Sequence, residues 1–406
     1  MAVGEYPFPK MHPVKGVKLT AVCGGIKKVN RRDVVLFELA EGSRVAGVFT
    51  KNAFCAAPVT VCREHLAAGD IRFLIINSGN ANACTGEQGV RDAKATCAAI
   101  AKLKGVNAAQ VLPFSTGVIG EPLPLEKIIA VIPEALEKAN ENGWDDAGAG
   151  IMTTDTRAKG FSEQFDYQGK TITVNGIAKG AGMIKPNMAT MLGYIATDAK
   201  IAQSLLQDIA REAADKSFNR ITIDGDTSTN DSCILMATGQ VDVPEITEAA
   251  GPLYEKLRAT IFAAHIHLAK SIVSDGEGAT KFVTVAVSGG ANRGECLAVG
   301  YAVAHSPLIK TALFASDPNW GRIVAAIGYA GVENLDATKV RVHLNDVLIV
   351  ENAGRAASYT EAQGQAVMSG AEIGINIHLG RGDFAETIWT TDLSYDYVRI
   401  NADYRS

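Results

Sequence analysis

No Cys-x-x-Cys pair occurs among the seven cysteines of this 406-residue chain (Cys23, Cys55, Cys62, Cys84, Cys97, Cys233 and Cys296). An odd, unpatterned set argues against a disulfide framework and for buried free thiols in a reducing compartment. No apolar run approaches the roughly 20 residues that span a bilayer. Residues 1–20 hold Lys10, His12 and three prolines without a continuous apolar stretch, so a secretory signal is not expected. Excess charge is also missing: the formal net charge is -5, with both signs interspersed, so neither a nucleic-acid face nor a polybasic membrane patch is indicated. These absences predict a cytoplasmic protein with a small-molecule partner, no nucleic acid and no membrane.

Familiar site motifs are absent too. There is no G-x-S-x-G elbow, and the histidines lack a recognisable nucleophile partner, so Ser-His-Asp catalysis is not indicated. The glycines around Glu277 form neither a Walker loop nor a dinucleotide fingerprint. Asp224-Gly225-Asp226-Thr227-Ser228-Thr229-Asn230-Asp231-Ser232 carries three aspartates, but the residue order is not that of an EF-hand and the closing glutamate is missing. His265 and His267, two apart on an expected helix, point to different faces. No metal is expected.

What is present is a globular composition, 47% hydrophobic, able to fill a large core. Short apolar runs over residues 17–50 predict an opening β-meander, and Ile71-Arg72-Phe73-Leu74-Ile75-Ile76 predicts a buried strand ending in a polar turn, Asn77 to Asn82. Ser115-Thr116-Gly117 follows another apolar run and reads most simply as a turn, although a hydroxyl beside a glycine can also build an oxyanion site. Helices are expected over residues 91–103, over 125–139 with an interruption at Pro133, from Ile201 to Ala214, from Glu248 or Leu253 to Ile272, and over 295–306. Hairpins are expected around Gln168-Gly169 and Asn345-Asp346, and short strands at 192–196, 221–223 and 282–287. Alternation from Ile373 to Leu379 predicts a further strand with His378 on its outer side.

The chemically suggestive stretch is Lys179-Gly180-Ala181-Gly182-Met183-Ile184-Lys185-Pro186-Asn187-Met188-Ala189-Thr190. Its glycines free the backbone, Pro186 restricts it, and Thr190 follows a small residue. A hydroxyl can be activated without histidine when a threonine becomes the first residue of a chain and its own α-amine, with an ordinary pKa of about 8, takes the proton. For Thr190 that requires scission of the Ala189-Thr190 bond. Glycine-rich turns bearing threonine are usually structural, so the residues alone leave both readings open.

The same stretch, continued through Met191-Leu192-Gly193-Tyr194-Ile195-Ala196-Thr197-Asp198-Ala199, closely resembles the cleavage-site segment of the ornithine acetyltransferase (glutamate N-acetyltransferase) family of arginine biosynthesis. Segments resembling that family in order include Asn77 to Asn82, Ser115-Thr116-Gly117, Met152-Thr153-Thr154-Asp155-Thr156, Asp275 to Lys281, Asp317 to Arg322 and Asn401 to Ser406. The resemblance implies a layered α/β sandwich of the self-cleaving N-terminal-nucleophile aminopeptidase type with a second, smaller α/β domain. It implies an alpha chain of residues 1–189 and a beta chain of residues 190–406, two of each assembling together. Thr190 would be the nucleophile, Thr116 and Gly117 the oxyanion hole, and Thr153, Lys179, Thr190, Glu277, Asn401 and Ser406 the substrate contacts. The substrates implied are N-acetylornithine and glutamate, with no bound cofactor; whether acetyl-CoA is a co-substrate, and where arginine would act as a feedback ligand, stay open. A self-cleaving aminopeptidase or amidase is the alternative enzyme, and an uncleaved amino-acid-binding protein the alternative outside catalysis. Thr190→Ala should leave one full-length chain on a denaturing gel, whereas two fragments would sink the assignment of the scissile bond.

Overall fold

The computed structural model describes residues 2–185 and 191–403. Among these, nine strands occupy the first part of the chain: β1 (Val17–Val22), β2 (Val34–Leu39), β3 (Arg44–Phe49), β4 (Phe73–Asn80), β5 (Val111–Val118), β6 (Lys159–Tyr167), β7 (Lys170–Lys179), β8 (Leu192–Thr197) and β9 (Ser232–Ala237). They form two sheets, of order β1-β2-β4-β5 and β3-β9-β8-β7-β6. The sheets lie face to face because successive side chains of a strand point to opposite sides. Val35 and Phe37 of β2, Leu74 and Ile76 of β4, Tyr194 of β8 and Ile234 of β9 share one buried core between them. Alternate residues, such as Val34, Leu36, Phe73 and Ile75, face outward against the helices Gly86–Lys104 and Leu125–Lys138. On the far side Ile195, Cys233 and Leu235 meet the helices Gln203–Asp215 and Pro252–Ser274. The result is helix, sheet, sheet, helix: the layered α/β sandwich that was expected.

The remaining strands, β10 (Phe282–Gly290), β11 (Arg341–Leu344), β12 (Val347–Glu351), β13 (Gly354–Arg355), β14 (Glu372–His378) and β15 (Phe384–Thr391), form a mixed six-stranded sheet. Only one face of it is apolar. Val283, Val285 and Val287 and, across the pairing, Ile373, Ile375 and Ile377 pack under the helices Arg293–His305 and Trp320–Gly328, while Glu372 and Asn376 stay exposed. This second α/β unit meets the sandwich through Phe282 and Trp389, which belong to the sandwich core.

Several local expectations change. The opening meander is broken, because β1 pairs with β2 whereas β3 leaves to pair with β9 in the other sheet. Asn77 to Asn80 and Ser115 to Gly117 are not turns but the paired ends of β4 and β5. Pro133 does not interrupt its helix, whose inner face is held by Ile128, Ile132 and Ala135. Residues 221–223 make only bridging contacts, Ile221 with Trp389 and Ile223 with Ile184, rather than a strand. His378 is half-buried, its Nδ1 lying 3.2 Å from Ser288 Oγ.

One polar knot joins three parts of the sandwich. Lys159 Nζ, fully buried, donates to Asp155 at 2.6 Å and to Asp275 at 2.6 Å, while Gly180 N–H donates to Asp155 at 2.7 Å. Burial alone pushes the Asp155 carboxyl up, but Lys159, Lys179 and the Gly180 N–H outweigh it and hold the group far below the usual carboxylate range. A carboxyl depressed in the folded state supplies stability that is present above its unfolded value, about 3.9, and is lost as pH falls. Lys159→Met strands two buried carboxylates and should lower the urea unfolding free energy at neutral pH by about 3–5 kcal/mol. The deficit should shrink in acid, and an unchanged unfolding free energy at neutral pH would show that the ammonium compensates nothing.

Candidate active site

The ends of β5 and β7 and the start of β8 open into a cavity of about 240 Å³, closed by the loops around Thr153, Gly182, Asn230 and Glu277 and by Asn401. Six residues expected at the site line it: Thr116, Gly117, Thr153, Lys179, Glu277 and Asn401. Ala189, Thr190 and Ser406 lie outside the described residues. The chain on either side of 186–190 does reach the cavity, since Ile184, Met191 and Leu192 are on its wall.

Each side chain is placed by its neighbours. At the end of β5 the pairing with β4 shifts register around Gly79 and Asn80, and Gly117 adopts φ +140°. A Cβ on Gly117 would lie 2.2 Å from the Gly79 carbonyl carbon, so only glycine permits this approach. Asn230 ties the same strand end down, its Nδ2 donating to Ala81 O at 2.6 Å and Ser115 O at 2.8 Å. Thr153 is oriented by its own loop, its N–H donating to Asp155 at 3.0 Å.

Lys179 ends β7 with its Nζ donating to Thr116 Oγ1 at 3.3 Å. Burial pulls its ammonium below the usual lysine range, with Asp155 opposing and Lys159 reinforcing the shift. Glu277 is buried and accepts from Asn401 Nδ2 at 2.7 Å. Gly182 makes room for that carboxylate, because a Cβ there would come within 2.4 Å of Glu277 Oε2. The helix Tyr395–Ala402, which carries Asn401, is seated by Ser394 Oγ donating to Gly278 O at 2.6 Å. The Lys179 ammonium and two recessed carboxylates, Glu277 and Asp231, thus share a small cavity, which suits a ligand bearing both charges.

Asp155, Lys159, Asp275, Asp224 and Asn230 were not anticipated as organisers of this site. Asp224 opens the loop weighed above as a calcium site; its carboxylate instead receives the N–H groups of Met183 at 2.6 Å and Ile184 at 2.8 Å, fixing the stretch that leads toward residue 186. Burial and the neighbouring Asp224 push the Tyr397 phenol well above its ordinary value. The density of polar residues in the loop from Asp224 to Ser232 was the available signal.

The ArgJ family model matches residues 18–406. The chain is 62% identical, over the whole length of both proteins, to the arginine biosynthesis bifunctional protein ArgJ of Pseudomonas syringae pv. tomato. The chain belongs to the ArgJ family. A solved ArgJ from Bacillus halodurans is 36% identical, covering 52% of this chain and 97% of that one with a TM-score of 0.49. A solved ornithine acetyltransferase from Mycobacterium tuberculosis, complexed with ornithine, is 35% identical, covering 43% of this chain and 94% of that one with a TM-score of 0.39. Family membership agrees with the resemblance carried by the residue runs quoted above.

The lowered Lys179 value sets a pH dependence for this ArgJ-family chain. An amino-acid carboxylate held by the protonated amine should be released as pH rises through that value, before the range near 10.4 where an ordinary lysine loses its proton. Asp155→Asn removes the charge that keeps the proton on, so the release should move to lower pH. Affinity for N-acetylated amino acids measured between about pH 7 and 10 reads both curves; superimposable curves would remove Lys179 from carboxylate binding.

Proposed function

We propose that the chain is a glutamate N-acetyltransferase that moves acetyl from N-acetylornithine to glutamate in arginine biosynthesis, by a ping-pong mechanism through acetyl-Thr190. Family membership over residues 18–406 supports the reaction class. The observation that carries the site assignment is that Lys179 and Glu277 line one cavity with Thr116 and Gly117. Lys179 is suited to a substrate carboxylate, and Glu277, oriented by Asn401, to the side-chain ammonium of ornithine. The amide carbonyl of the substrate then faces the end of β5, where Thr116 and Gly117 would receive the negative charge that exists only in the tetrahedral intermediate.

In this mechanism the Thr190 hydroxyl attacks the acetyl carbon and its proton passes to the Thr190 α-amine. Collapse breaks the C–N bond, and that proton leaves on the ornithine nitrogen. The ester is then opened by the amine of glutamate, which restores the hydroxyl. The α-amine exists only after scission between Ala189 and Thr190, so the proposal includes an alpha chain of residues 1–189 and a beta chain of residues 190–406. Two copies of each, in the cytoplasm, with Ser406 closing the pocket and no bound cofactor, complete the reading. An aminopeptidase or amidase would hand the acyl group to water instead. With N-acetylornithine as donor, N-acetylglutamate should accumulate when glutamate is supplied, with little free acetate. Acetate released at the same rate with or without glutamate would favour the hydrolase.

A further inference from the structure

The cavity holds one more ionised group than the proposed transfer uses. Asp231 lies on its wall together with Lys179 and Glu277, and only 2% of its surface is exposed. Its backbone is held on three sides: Thr50 N–H donates to Asp231 O at 3.0 Å, Asn230 before it ties down Ser115 O, and the N–H of Ser232 after it donates to Met191 O at 2.9 Å. Asp231 therefore sits where the end of β5 approaches the start of β8, the part of the wall that carries Thr116 and Gly117. Glu277 is held instead against Gly182 and Asn401.

The electrostatics of Lys179 agree with that placement. Burial pulls its ammonium down most and Lys159 reinforces the shift, while Asp155, Asp231 and Glu277 oppose it in that order of strength. Asp231 is thus closer in effect to Lys179 than Glu277 is. A carboxylate withdrawn from water is costly unless cations or N–H donors meet it. Asp231 is engaged within the protein as well, but a carboxylate accepts at about four lone-pair sites, so a ligand ammonium can be added.

N-acetylornithine offers this wall two charges, its carboxylate and its side-chain ammonium, because its α-nitrogen is a neutral amide. Free ornithine offers a third, an α-ammonium on the same carbon as the carboxylate suited to Lys179. One ammonium and two carboxylates on the wall complement one carboxylate and two ammonium groups on the ligand. We propose that Asp231 is the α-ammonium subsite of the cavity, holding the free α-nitrogen of the amino acid that leaves or enters it. This rests on the amino-acid reading of the cavity proposed above. It adds a discrimination that Lys179 and Glu277 do not supply, since both meet groups common to ornithine and N-acetylornithine. The departing amino acid is held by one contact more than the acetylated donor, and the acceptor brings the same α-ammonium.

Calorimetric titration of the intact protein with ornithine and with 5-aminopentanoate, which lacks only the α-amine, tests the subsite. The wild-type protein should bind ornithine more tightly. Asp231→Asn should weaken ornithine by about tenfold or more, as expected for loss of one charge-assisted hydrogen bond, and weaken 5-aminopentanoate far less. Any effect of the lost charge on Lys179 falls on both ligands, so the difference between them isolates the α-nitrogen. Equal binding of the two ligands by the wild-type protein overturns the subsite without recourse to a variant. Equal weakening of both by Asp231→Asn makes the residue structural and overturns it too. Binding of neither ligand by the wild-type protein overturns the amino-acid reading of the cavity and the subsite with it. A preference for ornithine that depends on Asp231, in a protein that forms no N-acetylglutamate, upholds the subsite and overturns the exchange reaction.

Discussion

The buried ammonium of Lys159 sits between Asp155 and Asp275, and the geometry of the cavity follows from it. Asp155 belongs to the loop that presents Thr153, and it also receives the N–H of Gly180, next to Lys179. Asp275 begins the turn that presents Glu277 and accepts from both the N–H and the hydroxyl of Thr156. Three chain segments distant in sequence are thereby held to a common centre. An ion pair without solvent is expensive to assemble, and its worth here lies in position: removing the Lys159 ammonium would leave two carboxylates buried and uncompensated.

Around that centre the two sheets act as a rigid frame. Their shared apolar core packs Tyr194 against Phe37 and Phe114 and fixes the ends of β5, β7 and β8 relative to each other. At those ends glycines replace side chains where backbone or carboxylate must come close, at Gly117 against Gly79 and at Gly182 against Glu277. The second α/β unit contributes through the chain that leaves β15. Asp392 receives the N–H groups of Thr280 and Lys281, and the helix that follows brings Asn401 onto Glu277. A late segment thus completes a site whose other walls come from much earlier residues.

Much of this was legible in one dimension. The hairpin at Gln168-Gly169 has positive φ at both residues, as its turn chemistry requires, and the one at Asn345 joins β11 to β12 as its position implied. The helix Pro252–Ser274 follows the stripe of Leu257, Ile261, Ala264 and Leu268. The failures share a cause. Ser115 to Gly117 carries a turn-like composition yet lies in a strand, because hydrogen bonds to β4 and the side chain of Asn230 supply what a turn would otherwise provide. The departure of β3 to another sheet is a matter of long-range pairing, which local periodicity does not encode.

The residue types and their order determined the alternation that makes two-faced strands, the glycines that permit close approach, and the family to which the chain belongs. Only the tertiary structure decided that Asp155, Lys159 and Asp275 share one buried charge centre, that Asp224 serves the backbone of Met183 and Ile184, and that Asn401 meets Glu277 at the cavity. The reason is physical. Periodicity and propensity act between residues a few positions apart, whereas electrostatic compensation and cavity shape depend on distances that exist only once the sheets have packed.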